Sequence, residues 1–208
     1  MGAAAVVFDL GNVLIRWDPH PAVAAAVGAE EASRLLAAED FDFGAWNHAQ
    51  DAGRPWDDAV AEAARTHPQW LPHLRGYRAN FAHSLVGAIE DTVDVLAELH
   101  RAGVPLFALT NWSADMFSHA RERFAFLDLF DDIVVSGEER LAKPDPAIFE
   151  VLRRRTGLPL EQCVFVDDSP ANVAAAARAG MTAILFTDTG HLREDLRRRG
   201  LPLAPAGS

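Results

Sequence analysis

Five short apolar runs constrain the fold of this 208-residue chain more than any other feature of its sequence. Each run has three to five residues and is rich in Val, Ile, Leu, Phe or Ala, which is typical of strands buried on both faces. We predict strands at residues 4–8, 105–109, 133–135, 163–166 and 183–186. Helical patterns occur at residues 89–102, 147–155 and 171–179, each shortly before one of the last four predicted strands. This alternation predicts an α/β fold with a parallel sheet covered by helices on both faces.

The segment between the first two predicted strands is much longer than one crossover helix requires. Residues 17–85 show helical patterns interrupted by glycine and proline. We therefore predict two domains: an α/β core domain of residues 1–16 and 86–208, and a small helical cap domain of residues 17–85. The cap would be inserted directly after the first strand.

Composition disfavours several classes of function. The net charge of −11 argues against a nucleic-acid partner, because such proteins need a basic face. No apolar stretch is long enough to span a membrane or to serve as a signal peptide, so we expect no membrane partner. The lone Cys163 cannot form an internal disulfide, which predicts a cytoplasmic location. The sequence does not indicate an oligomeric state.

Polar side chains follow the predicted strands where each strand ends. They are Asp9 after the first strand, Thr110 and Asn111 after the second, Lys143 after the third, and Asp167 with Asp168 after the fourth. Ligands of open parallel sheets bind beyond the carboxyl ends of the strands, so we expect these side chains to meet at one edge.

Three carboxylates in one cleft would repel each other unless a cation lay between them. Asp9, Asp167 and Asp168 offer only oxygen ligands, which suit Mg²⁺. Lys143 is the only lysine of the chain, and its ammonium can neutralise both an aspartate and a phosphoryl oxygen. The sequence therefore predicts a magnesium site that also accepts a phosphate group.

These segments resemble the signature motifs of the haloacid-dehalogenase-like hydrolase superfamily, in the same order and across nearly the whole chain. Two of them, Asp9-Leu10-Gly11-Asn12-Val13 and Val166-Asp167-Asp168-Ser169, look most like the capped branch that contains α-glucose-1-phosphate phosphatase and the phosphatase domain of soluble epoxide hydrolase. The resemblance implies a three-layer Rossmann-like core with a helical cap.

The resemblance also implies a role for each residue that matches a motif. Asp9 is expected to attack phosphorus and form an aspartyl-phosphate, and Lys143 to stabilise the charge that develops during transfer. Thr110, Asn111 and Lys143 are expected to bind the phosphoryl oxygens. The Mg²⁺ ligands implied are Asp9, the main-chain carbonyl of Gly11 and Asp168, with Asp167 as a further ligand or a partner of the ligands.

One position departs from the pattern. Most phosphatases of the superfamily place an aspartate two residues after the nucleophile, where it protonates the leaving oxygen and then activates water. Gly11 occupies that position here. Losing a general acid–base lowers the rate by roughly 10²–10⁴-fold. The activity is then weaker, or another residue takes over this role, but it is not excluded. Asp18 and His48, both in the predicted cap, are candidate replacements.

Three functions stay open on this reasoning. The first is a Mg²⁺-dependent phosphatase acting on a small phosphorylated metabolite whose leaving group needs little help, such as a sugar 1-phosphate. The second is a metal-free 2-haloacid dehalogenase, whose relatives also lack the second aspartate. The third is a non-catalytic binding protein. The pair Asp167 and Asp168 favours a metal site and hence the phosphatase, and retention of Asp9 with Lys143 disfavours the third function.

Overall fold

The computed structural model of the protein describes residues 4–205. Seven strands occur in this range: β1 (Ala5–Phe8), β2 (Ile15–Trp17), β3 (Leu85–Ala88), β4 (Leu106–Thr110), β5 (Asp132–Val135), β6 (Cys163–Asp167) and β7 (Thr182–Leu185). Five of them form a parallel sheet in the order β5-β4-β1-β6-β7. The other two, β2 and β3, pair antiparallel as a separate ribbon.

Eleven α-helices occur in the same range. Five lie between β2 and β3: α1 (Pro19–Val27), α2 (Ala29–Leu36), α3 (Phe43–Asp51), α4 (Trp56–Thr66) and α5 (Leu71–Ala79). The others are α6 (Glu90–Arg101), α7 (Phe117–Arg123), α8 (Ser136–Glu139), α9 (Pro146–Thr156), α10 (Pro170–Arg178) and α11 (Thr189–Arg198). None of these helices is both long enough and apolar enough to cross a membrane.

Two apolar layers cover the parallel sheet, because successive side chains of a strand point to opposite faces. In β1, Val6 and Phe8 pack on the face covered by α6, α7 and α11. Ala5 and Val7 pack on the other face, against α9 and α10. All four residues are completely buried. The three-layer α/β fold predicted from the sequence is confirmed.

The predicted core elements agree closely with the observed ones. All five predicted strands and the three predicted helices occur in the structure, each within one residue of its predicted bounds. The sequence analysis missed the β2–β3 ribbon, since a three-residue strand beside a polar turn has no readable alternation. It also missed α7, α8 and α11. The helices α1–α5 fall within residues 17–85, but the division into core and cap domains stays a prediction.

The order of the strands determines where the functional side chains meet. β1 lies between β4 and β6, so the residues after these three strands share the centre of one sheet edge. Two hydrogen bonds hold the helices between β2 and β3 against this edge. Trp56 Nε1 donates to Ser113 Oγ at 3.0 Å, and Ser136 Oγ donates to the main-chain oxygen of Asp51 at 2.5 Å.

Truncating a buried side chain on the sheet face that α9 covers should destabilise the protein. Phe149 is completely buried, and its ring lies edge-on to Phe165 with centroids 5.9 Å apart. We expect Phe149→Ala to lower the free energy of unfolding by about 3–5 kcal/mol, because it leaves a cavity. The control Val86→Ala, at a side chain that is 50% exposed, should change it by less than about 0.5 kcal/mol. Urea unfolding, monitored by circular dichroism, measures the change for both variants. Equal losses of unfolding free energy would contradict the placement of Phe149 in this buried layer.

Candidate active site

Four charged residues converge at the carboxyl edge of the sheet. Asp9 follows β1, Asp167 ends β6 and Asp168 follows it, while Lys143 lies in the loop between α8 and α9. Each aspartate places a carboxylate oxygen within 4.8 Å of the others. Asp9, Asp167 and Lys143 are buried, whereas Asp168 is exposed. The three aspartates and the lysine that the sequence predicts at the strand ends therefore lie together.

Lys143 is the centre of this cluster. Its Nζ lies 3.0 Å from Asp9 Oδ1 and 2.7 Å from Asp167 Oδ2, and it donates to the main-chain oxygen of Leu109 at 2.7 Å. An ammonium has three N–H donors, so these partners satisfy it completely. Burial alone would lower the pKa of Lys143, but the two carboxylates outweigh burial and raise it. The side chain therefore stays charged.

The carboxylate of Asp167 is already occupied by donors from the protein. Besides Lys143, it accepts hydrogen bonds from Asn172 Nδ2 at 3.0 and 3.2 Å and from the main-chain N–H of Ser169 at 2.8 Å. Asp167 thus orients Lys143 and has less capacity left for a cation than the exposed Asp168.

The electrostatics of the cluster call for an additional positive charge. Burial raises the pKa of Asp9 from 3.8 to about 7; Lys143 opposes this change, and the charges on Asp167 and Asp168 add to it. Burial, followed by the charge of Asp167, also raises the pKa of Asp168. A divalent cation bound by Asp9 and Asp168 would remove this penalty, and carboxylate oxygens are ligands that Mg²⁺ accepts. The residues present fit such an ion.

The two residues predicted from the second motif have different surroundings. Asn111 lines the cavity at the sheet edge, and its amide pairs with the main chain of Lys143 through bonds of 2.9 and 2.8 Å. Asn111 therefore ties the loop that carries Lys143 to the end of β4. Thr110 is the last residue of β4 and is buried, and it is not among the described residues that line the cavity.

A cavity of about 150 Å³ opens above the charged cluster. Its floor contains Asp9, Gly11 and Asp168, and its opposite wall comes from residues 17–85. Four aromatic side chains line the cavity: Trp17, Tyr77 and Phe81 from that segment, and Trp112 from the loop after β4. Asp9 therefore borders a partly open cavity with both charged and aromatic lining.

Sequence reasoning missed the polar groups of the cavity wall. Asp51, the last residue of α3, lines the cavity, and Asn47 Nδ2 donates to its Oδ2 at 3.1 Å. The proposed replacement acids lie elsewhere. Asp18 caps α1 by accepting from the main-chain N–H of His20, and His48 is exposed on α3. Periodicity cannot distinguish Asp51 from any other polar residue of a helix, so no signal indicated it.

Comparison with known proteins identifies the family. A family model described as hydrolase, haloacid dehalogenase-like hydrolase, matches residues 3–180. The chain belongs to this family. The matched segment contains every residue of the charged cluster, from Asp9 to Asp168.

Two relatives of this haloacid dehalogenase-like hydrolase are named phosphatases. Sesquiterpene phosphatase astK of Aspergillus oryzae is 26% identical over 196 residues, which cover 89% of this chain and 90% of the relative. Ribulose-1,5-bisphosphate 5-phosphatase of Halopiger xanaduensis is 27% identical over 204 residues, which cover 88% and 84% respectively. The resemblance to one capped branch of the family stays a prediction.

Solved structures of the family share the fold. A family enzyme of Bacteroides thetaiotaomicron, crystallised as a magnesium complex, aligns with a TM-score of 0.73 and 21% identity over 92% of this chain and 98% of that one. A structure described as a dehalogenase aligns with a TM-score of 0.62 and 22% identity over 88% and 84%. Likeness at this level of identity shows the fold alone.

Removing the central cation should destabilise this hydrolase in a pH-dependent way. In Lys143→Met, Asp9 and Asp167 lose their buried partner, so we expect a loss of about 3–5 kcal/mol in the free energy of unfolding at pH 8. The loss should be smaller at pH 5, where Asp9, with its pKa already raised to about 7, binds a proton and is no longer a buried charge. Urea unfolding without metal at the two pH values checks this.

A matched control exists for that variant. Arg153 forms an exposed ion pair with Glu150 at 2.8 Å. Arg153→Met should change the free energy of unfolding by less than about 1 kcal/mol at either pH. An equally small effect of Lys143→Met would contradict the central role assigned to Lys143.

Proposed function

We propose that the protein is a Mg²⁺-dependent phosphatase that hydrolyses the phosphate ester of a small metabolite through an aspartyl-phosphate on Asp9. The observation that supports this most is the position of Asp9, between the ammonium of Lys143 and the carboxylate of Asp168, on the floor of a cavity of metabolite size. The phosphatase names of the relatives agree with it.

The geometry around Asp9 suits an attack on phosphorus. Its Oδ1 accepts from the main-chain N–H of Leu10 at 2.8 Å and faces Lys143, which leaves Oδ2 as the attacking oxygen. We propose that Asn111 and Lys143 bind phosphoryl oxygens, for which Lys143 must exchange one of its three contacts for the phosphoryl group. The buried Thr110 supports that end of β4. The charge that develops in the transition state is thereby stabilised by groups already in place.

The metal ligands we propose are Asp9, the main-chain carbonyl of Gly11 and Asp168. Mg²⁺ bound there would neutralise the charge on the phosphoryl oxygens and on the two carboxylates. Asp167 acts indirectly, since Lys143 and Asn172 occupy its oxygens. The presence of two adjacent aspartates, Asp167 and Asp168, favours a metal site over the metal-free dehalogenase alternative.

For the substrate we propose a sugar 1-phosphate. Its hemiacetal oxygen leaves more readily than a primary alcohol, which suits a site with glycine at position 11. A second candidate is the phosphate of an apolar alcohol, favoured by the four aromatic side chains of the cavity wall. We propose a cytoplasmic location from the single cysteine, which is buried and free.

A panel of phosphate esters tests this function. With Mg²⁺ we expect hydrolysis of glucose 1-phosphate at least about tenfold faster than of glucose 6-phosphate, a difference of about 1.4 kcal/mol in barrier. Chelator and Asp9→Asn should each abolish phosphate release. A prenyl monophosphate in the same panel tests the apolar candidate, and its preference over both sugars would replace the sugar assignment.

The panel also separates the two alternative functions. Chloride release from 2-chloropropionate in the presence of chelator would establish the dehalogenase. No hydrolysis of any ester with any divalent cation, together with no chloride release, would support a non-catalytic protein. Asp57→Asn, at an exposed aspartate on α4, is the control for Asp9→Asn and should retain full activity.

Binding of Mg²⁺ should depend on pH through Asp9. In the metal-free protein the raised pKa of about 7 means that Asp9 is protonated at pH 5 and ionised at pH 8. The cation must displace that proton at pH 5, which weakens binding by about 100-fold, or about 2.7 kcal/mol. We therefore expect Mg²⁺ to raise the Tm more at pH 8 than at pH 5, measured by thermal unfolding. Asp168→Asn should reduce both shifts, and equal shifts for the unmodified protein would contradict this site.

A further inference from the structure

The cavity contains a carboxyl group that the proposed mechanism leaves without a role. Asp51 is the last residue of α3 and lines the same cavity as Asp9 and Asp168. A carboxylate is disfavoured at this position, because the carboxyl end of a helix carries partial negative charge. Its charge also interacts directly with that of Asp9. Asp51 therefore occupies a site where stability alone favours a different residue.

Neighbouring groups hold Asp51 in place at the cavity wall. Tyr77 Oη donates to Asn47 Oδ1 at 3.1 Å, and Asn47 Nδ2 donates to Asp51 Oδ2 at 3.1 Å. The main-chain N–H of Ser113, which follows β4, also donates to this carboxyl group. Ser136 fixes the main chain of Asp51 against the core. The carboxyl group is thus positioned by both the helices and the sheet edge.

Gly11, which also lines the cavity, supplies no side chain that could act as a general acid. A Cβ built at Gly11 meets no atom within 4 Å, so the space that an aspartate side chain would use there is open. Three carboxyl groups line the cavity in the described part of the chain: Asp9, Asp51 and Asp168. Asp9 is the proposed nucleophile and Asp168 a proposed metal ligand, which leaves Asp51.

We propose that Asp51 is the general acid and base of the phosphatase reaction, supplied from the helical segment in place of the side chain absent at Gly11. The inference rests on the proposed function. It requires that the leaving oxygen of the substrate face α3 when the phosphoryl group lies on Asp9.

The proton transfers balance over one cycle. Asp9 Oδ2 forms a bond to phosphorus while the bond from phosphorus to the leaving oxygen breaks, and protonated Asp51 gives its proton to that oxygen. The alcohol departs and leaves Asp51 ionised. A water molecule then attacks the aspartyl-phosphate and gives a proton to Asp51 as the bond from phosphorus to Asp9 breaks. Phosphate is released, Asp9 is again a carboxylate and Asp51 is again protonated.

The electrostatic surroundings of Asp51 agree with this role. Burial raises its pKa from 3.8 to about 7; the N–H of Ser113 opposes the change and the charge of Asp9 adds to it. Near neutral pH the group therefore exists in both forms, as a residue that alternates between acid and base requires.

Esters with different leaving groups test the assignment in the Mg²⁺-bound enzyme. For Asp51→Asn we expect kcat/KM of an alkyl phosphate such as butyl phosphate to fall by about 10²–10⁴. With p-nitrophenyl phosphate kcat/KM should change by less than about tenfold, because that leaving group departs without a proton. Its kcat should still fall, since water is no longer activated, so p-nitrophenol should appear as a burst equal to the enzyme concentration.

Two further variants control the experiment. Asp58→Asn, at an exposed aspartate in the first turn of α4, should leave both esters unaffected. Asp51→Glu keeps a carboxyl group and should retain more of the alkyl phosphate activity than Asp51→Asn. If Asp51→Asn is not folded by circular dichroism, the ratio of the two esters in Asp51→Glu and Asp51→Ser replaces it.

The possible outcomes separate the two proposals. Equal losses for both esters in Asp51→Asn, with no burst, would show a structural role and overturn the assignment of Asp51 alone. Absence of hydrolysis of every ester by the unmodified enzyme with Mg²⁺ would overturn the proposed function and this inference with it. A selective loss for the alkyl phosphate, accompanied by the burst, supports both.

Discussion

The structure depends on one buried ammonium placed between two buried carboxylates. Lys143 contacts Asp9 after β1, Asp167 at the end of β6 and the main chain of β4 through Leu109. It therefore joins the three central strands at the edge where they end. Burying one cation with two anions leaves excess negative charge, and this excess is the reason we propose the edge as a site for a divalent ion and a phosphoryl group. Stability and chemistry thus arise from the same arrangement.

The helices between β2 and β3 complete the site rather than merely covering it. In the proposed mechanism the sheet edge provides the nucleophile, the ammonium and the metal ligands. The aromatic side chains of the cavity and Asp51 lie outside the parallel sheet, and all of them except Trp112 come from residues 17–85. Because Gly11 supplies no side chain, we propose that the helices between β2 and β3 supply the group that transfers a proton at the leaving oxygen. Substrate selection and proton transfer would then be determined by the same set of residues.

The sequence was sufficient for the sheet and the charged edge, but not for the wall of the cavity. Strands buried on both faces leave continuous apolar runs, and the residues after them meet by topology, so Asp9, Lys143 and Asp167 could be placed together in advance. Asp51 lies on a helix whose packing against the core is decided by Ser113 and Ser136, far away in sequence. Nothing local marks such a residue. The ribbon was missed for the same reason, since Ile15 finds its partner Ala88 only after five helices have intervened.

The antiparallel ribbon has a consequence for motion. The chain leaves the core along β2 and returns along β3, and the two strands are hydrogen-bonded to each other. Two single-chain linkers would permit rotation about several axes, whereas a paired ribbon resists twisting and shearing and flexes mainly perpendicular to its own plane. We therefore expect any opening of the cavity to be a swing in that one direction.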